Sequence, residues 1–363
     1  MSDDLQNKLS VVRTEIDTID AQLLDLLNRR ARCAQLVGEI KASHGEAGFI
    51  YRPEREAQVL RRIQEINPGP LSNDSVTWFF REVMSACLSL EQALGVAFLG
   101  PLGTFSESAA TKHFGHAARL IPQVSIDDVF REVEACHADY AVVPIENSTE
   151  GAIGRTLDLL MTTPLKICGE VVLRIHQHLL SNETSLDDIN TVYSHAQSLA
   201  QCHEWLNSSL PNAQRISLGS NAQAAQLAAS EAGAAAIAGE AAAERYQLPK
   251  LASSIEDEPN NTTRFVVLGR QDSGASGRDK TSLIMSAHNR TGALSTLLAP
   301  FSEAGVSMTR LESRPARHTL WEYVFFVDIE GHREDAAVAT ALAELGRRAA
   351  YLKVLGSYPV AVY

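Results

Sequence analysis

The residue that most clearly suggests chemistry is an arginine, Arg30, which interrupts a row of apolar side chains. The apolar residues recur with spacings that alternate between four and three, as in a heptad seam: Leu5, Leu9, Val12, Ile16, Ile19, Leu23, Leu26, Cys33, Val37 and Ile40. Arg30 occupies one of the seam positions. A guanidinium removed from water is costly unless an anion or a hydrogen-bond partner meets it. We therefore predict that a negatively charged group lies against Arg30.

Two further cations on the same stretch are placed to act with Arg30. Lys41 follows eleven residues later, which at 100° per residue lies within about 20° of Arg30 and three turns along the same face. Arg13 lies about 100° away on the same arithmetic and is expected in the site of a partner protomer. The alternative is that Arg30 only fixes helix register and dimer state, a known use of polar seam residues. The spacing alone leaves both interpretations open.

The pattern predicts three helices to carry these side chains. A helix over residues 3–43 would be roughly 60 Å long and could not bury its seam alone. Shorter helices are predicted over 53–67 and 72–94, separated by the breaker Asn-Pro-Gly-Pro at 67–70. One long and two medium helices favour an all-α, intertwined dimer.

The second and third predicted helices add further polar residues. Arg55 and Glu56 are adjacent in one, while Cys87 and Glu91 stand at i and i+4 in the other, on one face. Together with the three cations of the first helix, they resemble the all-helical chorismate mutase family over residues 1–94. The resemblance implies rearrangement of chorismate to prephenate. That reaction needs no covalent catalyst, only restraint of a dianionic conformer and stabilisation of charge.

The resemblance also implies a role for each polar residue. The substrate carboxylates would be held bidentately by guanidinium groups: Arg30, Arg55 and Arg13 of the partner subunit. Lys41 and Glu91 would face the breaking ether oxygen, and Glu56 would take the substrate hydroxyl. Arg52 and Cys87 complete the candidate chorismate-binding set, although the family often has an acidic residue and a serine there. An amide often stands at Glu91, and a carboxyl group can donate to the ether oxygen only when it is protonated.

After residue 94 the pattern changes to short apolar runs that alternate with amphipathic helices, which predicts an α/β domain. The runs are 96–99, 140–145, 191–193, 234–238 and 264–268. Polar motifs cluster just after the strands, the place where open α/β sheets bind their ligands.

Four polar motifs stand out in this region: Gly-Pro-Leu-Gly-Thr-Phe-Ser-Glu at 100–107, Pro-Ile-Glu-Asn-Ser-Thr-Glu-Gly at 144–151, Ser-His-Ala-Gln-Ser at 194–198 and Asn-Asn-Thr-Thr-Arg-Phe at 260–265. In the first, Ser106 can cap a helix whose N-terminus attracts anions. Each motif alone is also explained by a strand-to-helix junction, a solvated turn or a structural histidine. In this order, together, they resemble prephenate dehydratase over residues 95–270.

This second resemblance implies two lobes like those of periplasmic binding proteins, with prephenate in the cleft between them. Loss of the ring hydroxyl accompanies loss of carbon dioxide, so the site mainly needs a contact to the leaving oxygen. Thr263 is the candidate hydrogen-bond donor, and the proton donor stays open between Glu146, His195 and water. The other candidates would bind carboxylates and orient the ring: Thr104, Ser106, Asn147, Ser194, Gln197 and Arg264.

A third region begins after a stretch rich in glycine and serine, 271–279, which predicts a linker. Over 280–363 the pattern predicts the ferredoxin-like order βαββαβ: strand 281–286, helix 292–304, strands 307–314 and 321–328, helix 334–345 and strand 351–358. Two motifs resemble the phenylalanine-binding motifs of ACT regulatory domains: Gly292, Ala293, Leu294 and Ser295, and Glu312, Ser313, Arg314 and Pro315. Such domains bind effector between paired copies. The alternative is a plain turn and a strand end.

Composition limits what the chain can bind. Its 363 residues carry a formal net charge of -12, too acidic for general binding to nucleic acid, and contain no run of about 18 apolar residues. Five scattered cysteines lack metal-ligand spacing, and we expect them to be reduced, buried and structural. We therefore expect a cytoplasmic homo-oligomer, at least a dimer, that binds neither nucleic acid nor membrane and uses no metal or cofactor.

The three regions cover nearly the whole chain. In this order, they resemble the bifunctional chorismate mutase/prephenate dehydratase family. The implied function is conversion of chorismate to prephenate and of prephenate to phenylpyruvate in L-phenylalanine biosynthesis, with L-phenylalanine as feedback inhibitor. The alternative from another class is a non-enzymatic amino-acid sensor with a coiled-coil dimeriser, a solute-binding-like middle and a ligand-sensing tail.

Overall fold

The computed structural model describes residues 2–44, 51–288, 290–315 and 323–362. Three helices open the chain: α1 Ser2–Ser43, α2 Pro53–Ile66 and α3 Asn73–Ser89. Proline occupies the first turn of α2, where its missing N–H would be unpaired in any case. Ser72 caps α3 by accepting a hydrogen bond from the Ser75 N–H. α3 ends at Ser89 rather than at 94, because residues 90–94 carry the chain into the first strand.

Most of the predicted seam of α1 is left uncovered by the described residues of the chain. Nine of its apolar side chains are between 42% and 60% exposed: Leu5, Leu9, Val12, Ile16, Ile19, Leu23, Leu26, Val37 and Ile40. Only near its C-terminus does α1 pack on α3, where Gly38 is buried. A helix of this length that leaves its apolar stripe in water requires another surface to bury it.

The first lobe of the α/β region is a mixed sheet with helices on it. Its elements are β1 Gly95–Leu99, α4 Phe105–Phe114, β2 Arg119–Gln123, α5 Ile126–Glu134, β3 Tyr140–Asn147, β4 Gly151–Ala152, α6 Gly154–Thr162 and β5 Lys166–Arg174. A later strand, β11 Thr262–Gly269, inserts antiparallel between β3 and β5, giving the order β2-β1-β3-β11-β5 with β4 on β3. The chain therefore leaves this lobe after β5 and returns to it at β11.

The second lobe lies between those two crossings. Its elements are β6 His178–Leu180, β7 Thr191–His195, α7 Ala196–Gln201, α8 His203–Ser209, β8 Gln214–Leu218, α9 Asn221–Ala228, β9 Ala234–Ala238, α10 Glu240–Tyr246 and β10 Lys250–Ala252. They form a sheet in the order β10-β6-β9-β7-β8. Two sheets joined by two crossings confirm the predicted two-lobed α/β fold. The five predicted apolar runs fall in β1, β3, β7, β9 and β11, and the remaining strands were missed.

The C-terminal region confirms the predicted ferredoxin-like order. Its elements are β12 Asp279–Ser286, α11 Ala293–Glu303, β13 Met308–Pro315, β14 Tyr323–Glu330, α12 Ala336–Arg348 and β15 Tyr351–Pro359. The sheet order is β13-β14-β12-β15, and every pairing is antiparallel. Residues 321 and 322 of the predicted third strand lie outside the described residues. The apolar faces of both helices close the core with Leu297, Phe301 and Leu345.

The C-terminal sheet docks on the first lobe through β15 and β5. A Cβ at Gly356 would overlap the Ile167 carbonyl oxygen, so only glycine permits this approach. The predicted linker is packed rather than a free spacer, because Ser273 and Ser276 are buried and Arg61 of α2 donates to the Arg278 and Val360 carbonyls. The three regions are therefore in direct contact.

The cysteines correct one expectation. Cys87, Cys168 and Cys202 are buried thiols, but Cys33 and Cys136 are exposed, so not all five are packed in a core. Among the described residues, no group of histidine, cysteine, aspartate and glutamate side chains could hold a metal ion. Within the same residues, no helix combines the length and apolar character needed to span a membrane.

Candidate functional site

The C-terminal half of α1 brings together part of the predicted helical site. Arg30 and Lys41 are half-buried, and Gly38 lies between them on the same stripe of the helix. Glu91 packs directly on Gly38, where an added Cβ would lie 2.6 Å from the Glu91 carboxyl carbon. Glu91 follows the end of α3 instead of sitting within it. The structure thus places Glu91 on the face of α1 that also carries Lys41.

Arg13 is the member of this set that lies apart. It is exposed and about 25 Å from Arg30 along α1, seventeen residues at 1.5 Å each. Within one chain the two arginines therefore belong to different places on the helix. Cys87, in contrast, is buried, with 6% of its surface exposed.

The start of α2 departs from the predicted site. Arg52 and Arg55 are exposed, and Arg52 lies 3.6 Å from Glu54. Glu56 turns instead toward Arg81 of α3, at 3.4 Å between Oε1 and Nε. Burial raises the pKa of Glu56, and Arg81 opposes that shift only partly.

The cavities that Glu56 lines contain none of the predicted helical-site residues on α1 or after α3. They lie between α2, α3 and α4 and include Tyr51, whose hydroxyl is 2.9 Å from His113 Nε2. Burial lowers the pKa of His113 to about 3, so its ring is neutral there. In this arrangement Glu56 belongs to the boundary with the α/β region, not to the surface around Arg30 and Lys41.

The larger cleft lies between the two α/β lobes. It is lined by six of the predicted residues: Thr104, Ser106, Asn147, His195, Gln197 and Thr263. Eight further serine, asparagine and glutamine residues also line it: Gln123, Gln177, Ser198, Gln201, Ser220, Asn221, Gln223 and Gln226. Among the described residues of this lining there is no aspartate, glutamate or lysine, and Arg245 supplies a positive charge. The first turns of α4 and α9 face the same space, so the cleft favours an anion.

The loop before α4 corrects the predicted helix cap. Thr104, not Ser106, caps α4: its Oγ1 accepts from the Glu107 N–H, and its hydroxyl donates to the Leu99 carbonyl at 3.1 Å. Gly103 precedes it with φ of +91°, a conformation that suits glycine. Ser106 is left in the first turn, on the cleft.

Thr263 and Asn147 form the polar centre of the cleft. They are partners in the ladder between β11 and β3, and Asn147 Nδ2 donates to Thr263 Oγ1 at 2.9 Å. The same amide donates to Asn261 Oδ1, and Asn261 donates to Gln201 Oε1, each at 2.9 Å. Since Thr263 Oγ1 accepts, and no described residue accepts from its O–H, its proton is available to a ligand.

The two residues at the end of β7 have different surroundings: His195 lines the cleft, and Ser194 is buried inside the second lobe. His195 caps α7, and its Nδ1 accepts from the Gln197 N–H at 3.3 Å, which places the ring proton on Nε2. Ser194 is fully buried and bonded to Asn221 Oδ1 and the Ile237 carbonyl. Ser194 therefore does not line the cleft as predicted, because its hydroxyl is used inside the second lobe.

Glu146 and Arg264 correct the prediction most strongly. Successive residues of a strand face opposite sides of a sheet, so with Asn147 and Thr263 on the cleft their neighbours point away from it. Arg264 lies 2.6 Å from Asp328, and Glu146 lies 3.0 Å from Arg310. Both partners belong to the C-terminal region, so neither Glu146 nor Arg264 lines the cleft.

Sequence reasoning missed a glutamine that the structure places in the cleft wall. Gln177 is 1% exposed, and its Nε2 donates to Ser198 Oγ at 3.0 Å and to Gln201 Oε1 at 3.4 Å. Its Oε1 is buried and accepts no hydrogen bond from any described residue. The available signal was the polar run His-Gln-His inside an apolar stretch, at 176–178.

The two motifs of the C-terminal region meet at one end of its sheet. Met285, Phe325 and Ser313 lie in register across β12, β14 and β13, so the end of β13 is level with the end of β12. Gly292 follows β12 and begins α11 with φ of +76°. Ala293 and Glu312 are half-buried, while Leu294, Ser295, Ser313 and Pro315 are exposed. Arg314 instead binds Asp158 of α6 at 3.1 Å.

Comparison with known proteins agrees with this division of the chain. Sequence models match as chorismate mutase type II over residues 12–92, as prephenate dehydratase over 96–273 and as an ACT domain over 281–347. The chain is 57% identical to a bifunctional chorismate mutase/prephenate dehydratase of Neisseria gonorrhoeae, covering 100% of both. It is 52% identical to one from Pseudomonas aeruginosa, covering 98% of this chain and 99% of the relative.

A solved structure is similar over the last two regions. It is a prephenate dehydratase from Arthrobacter aurescens in complex with L-Phe, 36% identical, with a TM-score of 0.68. The match covers 73% of this chain and 90% of that one.

Proposed function

Because the chain belongs to the bifunctional chorismate mutase/prephenate dehydratase family, we propose that it converts chorismate to prephenate and then to phenylpyruvate, under control by L-phenylalanine. We assign the mutase to residues 1–94, the dehydratase to 95–270, a linker to 271–279 and the ACT domain to 280–363. Matches to both enzyme families, and to whole bifunctional relatives, displace the alternative of a non-enzymatic sensor. If purified protein forms neither prephenate nor phenylpyruvate from chorismate, the proposal fails.

The observation that carries the dehydratase assignment is the pair of Thr263 and Asn147 in a cleft whose described lining has no acidic side chain. In prephenate the bond to the ring carboxylate breaks as carbon dioxide leaves, its electrons complete the aromatic ring, and the hydroxyl leaves from the opposite ring carbon. Asn147 occupies the acceptor side of Thr263 Oγ1, so that hydroxyl donates to the leaving oxygen. A leaving hydroxide becomes water by taking one proton.

The cleft narrows the choice of proton source. Glu146 lies on the opposite face of the sheet, beside Arg310, which supports His195 or water rather than Glu146 as the proton donor to the leaving oxygen. His195 can donate from Nε2, but its Nδ1 already accepts a backbone hydrogen bond, so the ring serves as a hydrogen-bond donor and water as the acid. The substrate carboxylates lie near Ser106, Gln197 and Arg245.

For the mutase, Arg30 and Lys41 hold the chorismate dianion against α1, and Glu91 donates to the ether oxygen. The exposed seam of α1 supports an intertwined dimer, in which Arg13 of the partner subunit enters the site. Catalysis and dimerisation would then depend on the same helix. Five free cysteines support a reducing, cytoplasmic location.

Glu91 gives a test of the mutase site by pH. Because Glu91 can donate only when protonated, mutase kcat/KM should fall as pH rises. Glu91→Gln keeps the shape that packs on Gly38 and donates at every pH, so its profile should be flat. Rates of prephenate formation from pH 5 to 9 measure both. A wild-type profile that is already flat would contradict the role.

The effector pocket is proposed at the motifs 292–295 and 312–315, between paired ACT domains. In support, the related prephenate dehydratase from Arthrobacter aurescens was solved in complex with L-Phe. Ser313→Ala should weaken inhibition of the dehydratase by L-phenylalanine about tenfold, since it removes a polar contact to the amino acid. Ser302→Ala, at the far end of α11, is the matched control and should keep wild-type inhibition. Equal inhibition constants for wild type, Ser313→Ala and Ser302→Ala would show that L-phenylalanine binds elsewhere.

A further inference from the structure

We propose that Asp328 of the ACT domain is a positioning residue of the dehydratase site, acting through Arg264 on Thr263. The inference rests on the proposed role of Thr263. It starts from six charged side chains packed between the first lobe and the ACT sheet, here called the interdomain charge cluster: Glu146, Glu170, Arg264, Lys280, Arg310 and Asp328. Three cations face three anions in the cluster.

Arg264 is the centre of this cluster and is fixed on every side. Its Nη1 donates to Asp328 at 2.6 Å, its Nε to Glu170 at 3.0 Å and its Nη2 to the Tyr358 hydroxyl at 3.0 Å. Its side chain is 13% exposed. Two of the three acceptors, Asp328 and Tyr358, belong to the ACT domain. The guanidinium plane is therefore oriented mainly by that domain.

Asp328 is itself rigid and charged. It pairs with Ser282 in the ladder of β14 and β12, and the Ser282 hydroxyl donates to its second oxygen. Burial raises the pKa of Asp328, but Arg264 and Ser282 outweigh that effect, and the pKa stays below its usual range. With 4% of its side chain exposed, Asp328 is an anion held in one place on the sheet.

A second arm of the cluster reaches the partner of Thr263. Arg310 of β13 lies 3.0 Å from Glu146 of β3, and Glu146 pairs with Arg264 in the ladder next to Asn147 and Thr263. The ACT domain thus holds both residues that immediately adjoin the catalytic pair along β3 and β11. Since consecutive residues of a strand lie about 3.3 Å apart, a shift of either neighbour is transmitted to the pair.

The position of Arg310 extends the inference to regulation. It lies on β13, two residues before the motif 312–315 that is proposed to bind the effector. A displacement of this edge strand on effector binding would therefore move Glu146 as well. Two contacts of the cluster join the effector motif to the cleft. Arg310 of β13 contacts Glu146, next to Asn147, and Asp328 of β14 contacts Arg264, next to Thr263.

The test compares Asp328→Asn with a matched variant in the full-length protein. Asp328→Asn keeps the shape but leaves Arg264 without its closest charge. We expect dehydratase kcat to fall about tenfold with KM changed less than about twofold, because Thr263 is displaced rather than lost. Inhibition by L-phenylalanine should weaken, and mutase activity should stay at the wild-type rate.

Lys353→Met provides the control at the same domain boundary. Lys353 donates to the Leu160, Met161 and Thr163 carbonyls around the end of α6, away from β3 and β11. We expect Lys353→Met to lower the unfolding temperature about as much as Asp328→Asn does, while its dehydratase kcat stays at the wild-type value. If Asp328→Asn matches Lys353→Met in both measurements, the cluster only docks the two domains and the inference is wrong.

A second variant covers the case in which Asp328→Asn does not fold, and Thr263→Val separates the positioning role from the role of Thr263. If Asp328→Asn does not fold, as loss of mutase activity would show, Arg310→Met tests the second arm and must lower dehydratase kcat in the same way. Full kcat in a folded Arg310→Met protein would then overturn the inference. Should Thr263→Val itself retain activity, the proposed role of Thr263 fails. A Thr263→Val loss with full activity in Asp328→Asn would reject the positioning role alone.

Discussion

Thr263→Val is expected to lower dehydratase kcat by about 10²–10³-fold while the mutase reaction continues at the wild-type rate. Valine has nearly the shape of threonine and keeps the β-strand, so the change removes the hydroxyl that donates to the leaving oxygen. The Asn147 amide also loses its acceptor, although it keeps Asn261. Phenylpyruvate formation from added prephenate measures the effect.

Thr263→Ser is the matched control for that variant. It retains the hydroxyl and should stay within about tenfold of the wild-type rate, the difference reflecting the freer rotamer of serine. A Thr263→Val protein within about threefold of wild type would show that the hydroxyl takes no part in departure of the leaving group.

Arg30→Met is expected to lower mutase kcat/KM by about 10³-fold, equivalent to about 4 kcal/mol of transition-state stabilisation. Methionine fills the seam but cannot bind a carboxylate. The dehydratase should convert added prephenate normally. Arg29→Met is the control, because Arg29 is exposed. Its ion pair with Asp25, at 3.8 Å on the surface, contributes little free energy. Equal loss in both variants would contradict a specific role of Arg30.

Arg13→Met, alone and mixed with Arg30→Met, tests whether the mutase site is shared between subunits. Arg13→Met should also inactivate the mutase, since the partner subunit's Arg13 completes the site. In hybrid dimers of the Arg13 and Arg30 variants one site regains both arginines, so mixing should recover up to about a quarter of wild-type activity. No recovery after subunit exchange would place Arg13 outside the site.

The helices and the three-part division could be predicted from the sequence because each rests on a local period. The seam of α1 follows a four-three spacing, and the βαββαβ order follows from alternating strand and helix patterns. Local patterns do not reveal which neighbour a helix face meets, and the contact of Glu56 with Arg81 was therefore not predicted. Arg55-Glu56 fitted a motif, but the packing of α2 on α3 directed Glu56 to Arg81.

The positions of Arg264 and Ser194 outside the cleft were missed for a related reason. β11 is covered on both faces, by the cleft and by the ACT sheet, and both faces carry polar side chains. Alternation along the strand separates Thr263 from Arg264, but the sequence does not say which of the two faces the substrate. Ser194 was unpredictable because Asn221, which accepts its hydrogen bond, is 27 residues away. Gln177 was missed because its neighbours Ser198 and Gln201 belong to α7 and are 21 and 24 residues away in the sequence.

The central claim, two consecutive reactions in two separate sites of one chain, is tested most directly by the products formed from chorismate. Wild-type protein, Thr263→Val and Arg30→Met would each be incubated with chorismate, and prephenate and phenylpyruvate would be quantified over time. The account predicts phenylpyruvate from wild type, accumulation of prephenate with Thr263→Val, unchanged chorismate with Arg30→Met, and phenylpyruvate again when the two variants are mixed. Phenylpyruvate from Thr263→Val alone at the wild-type rate, or prephenate from Arg30→Met at that rate, would contradict it.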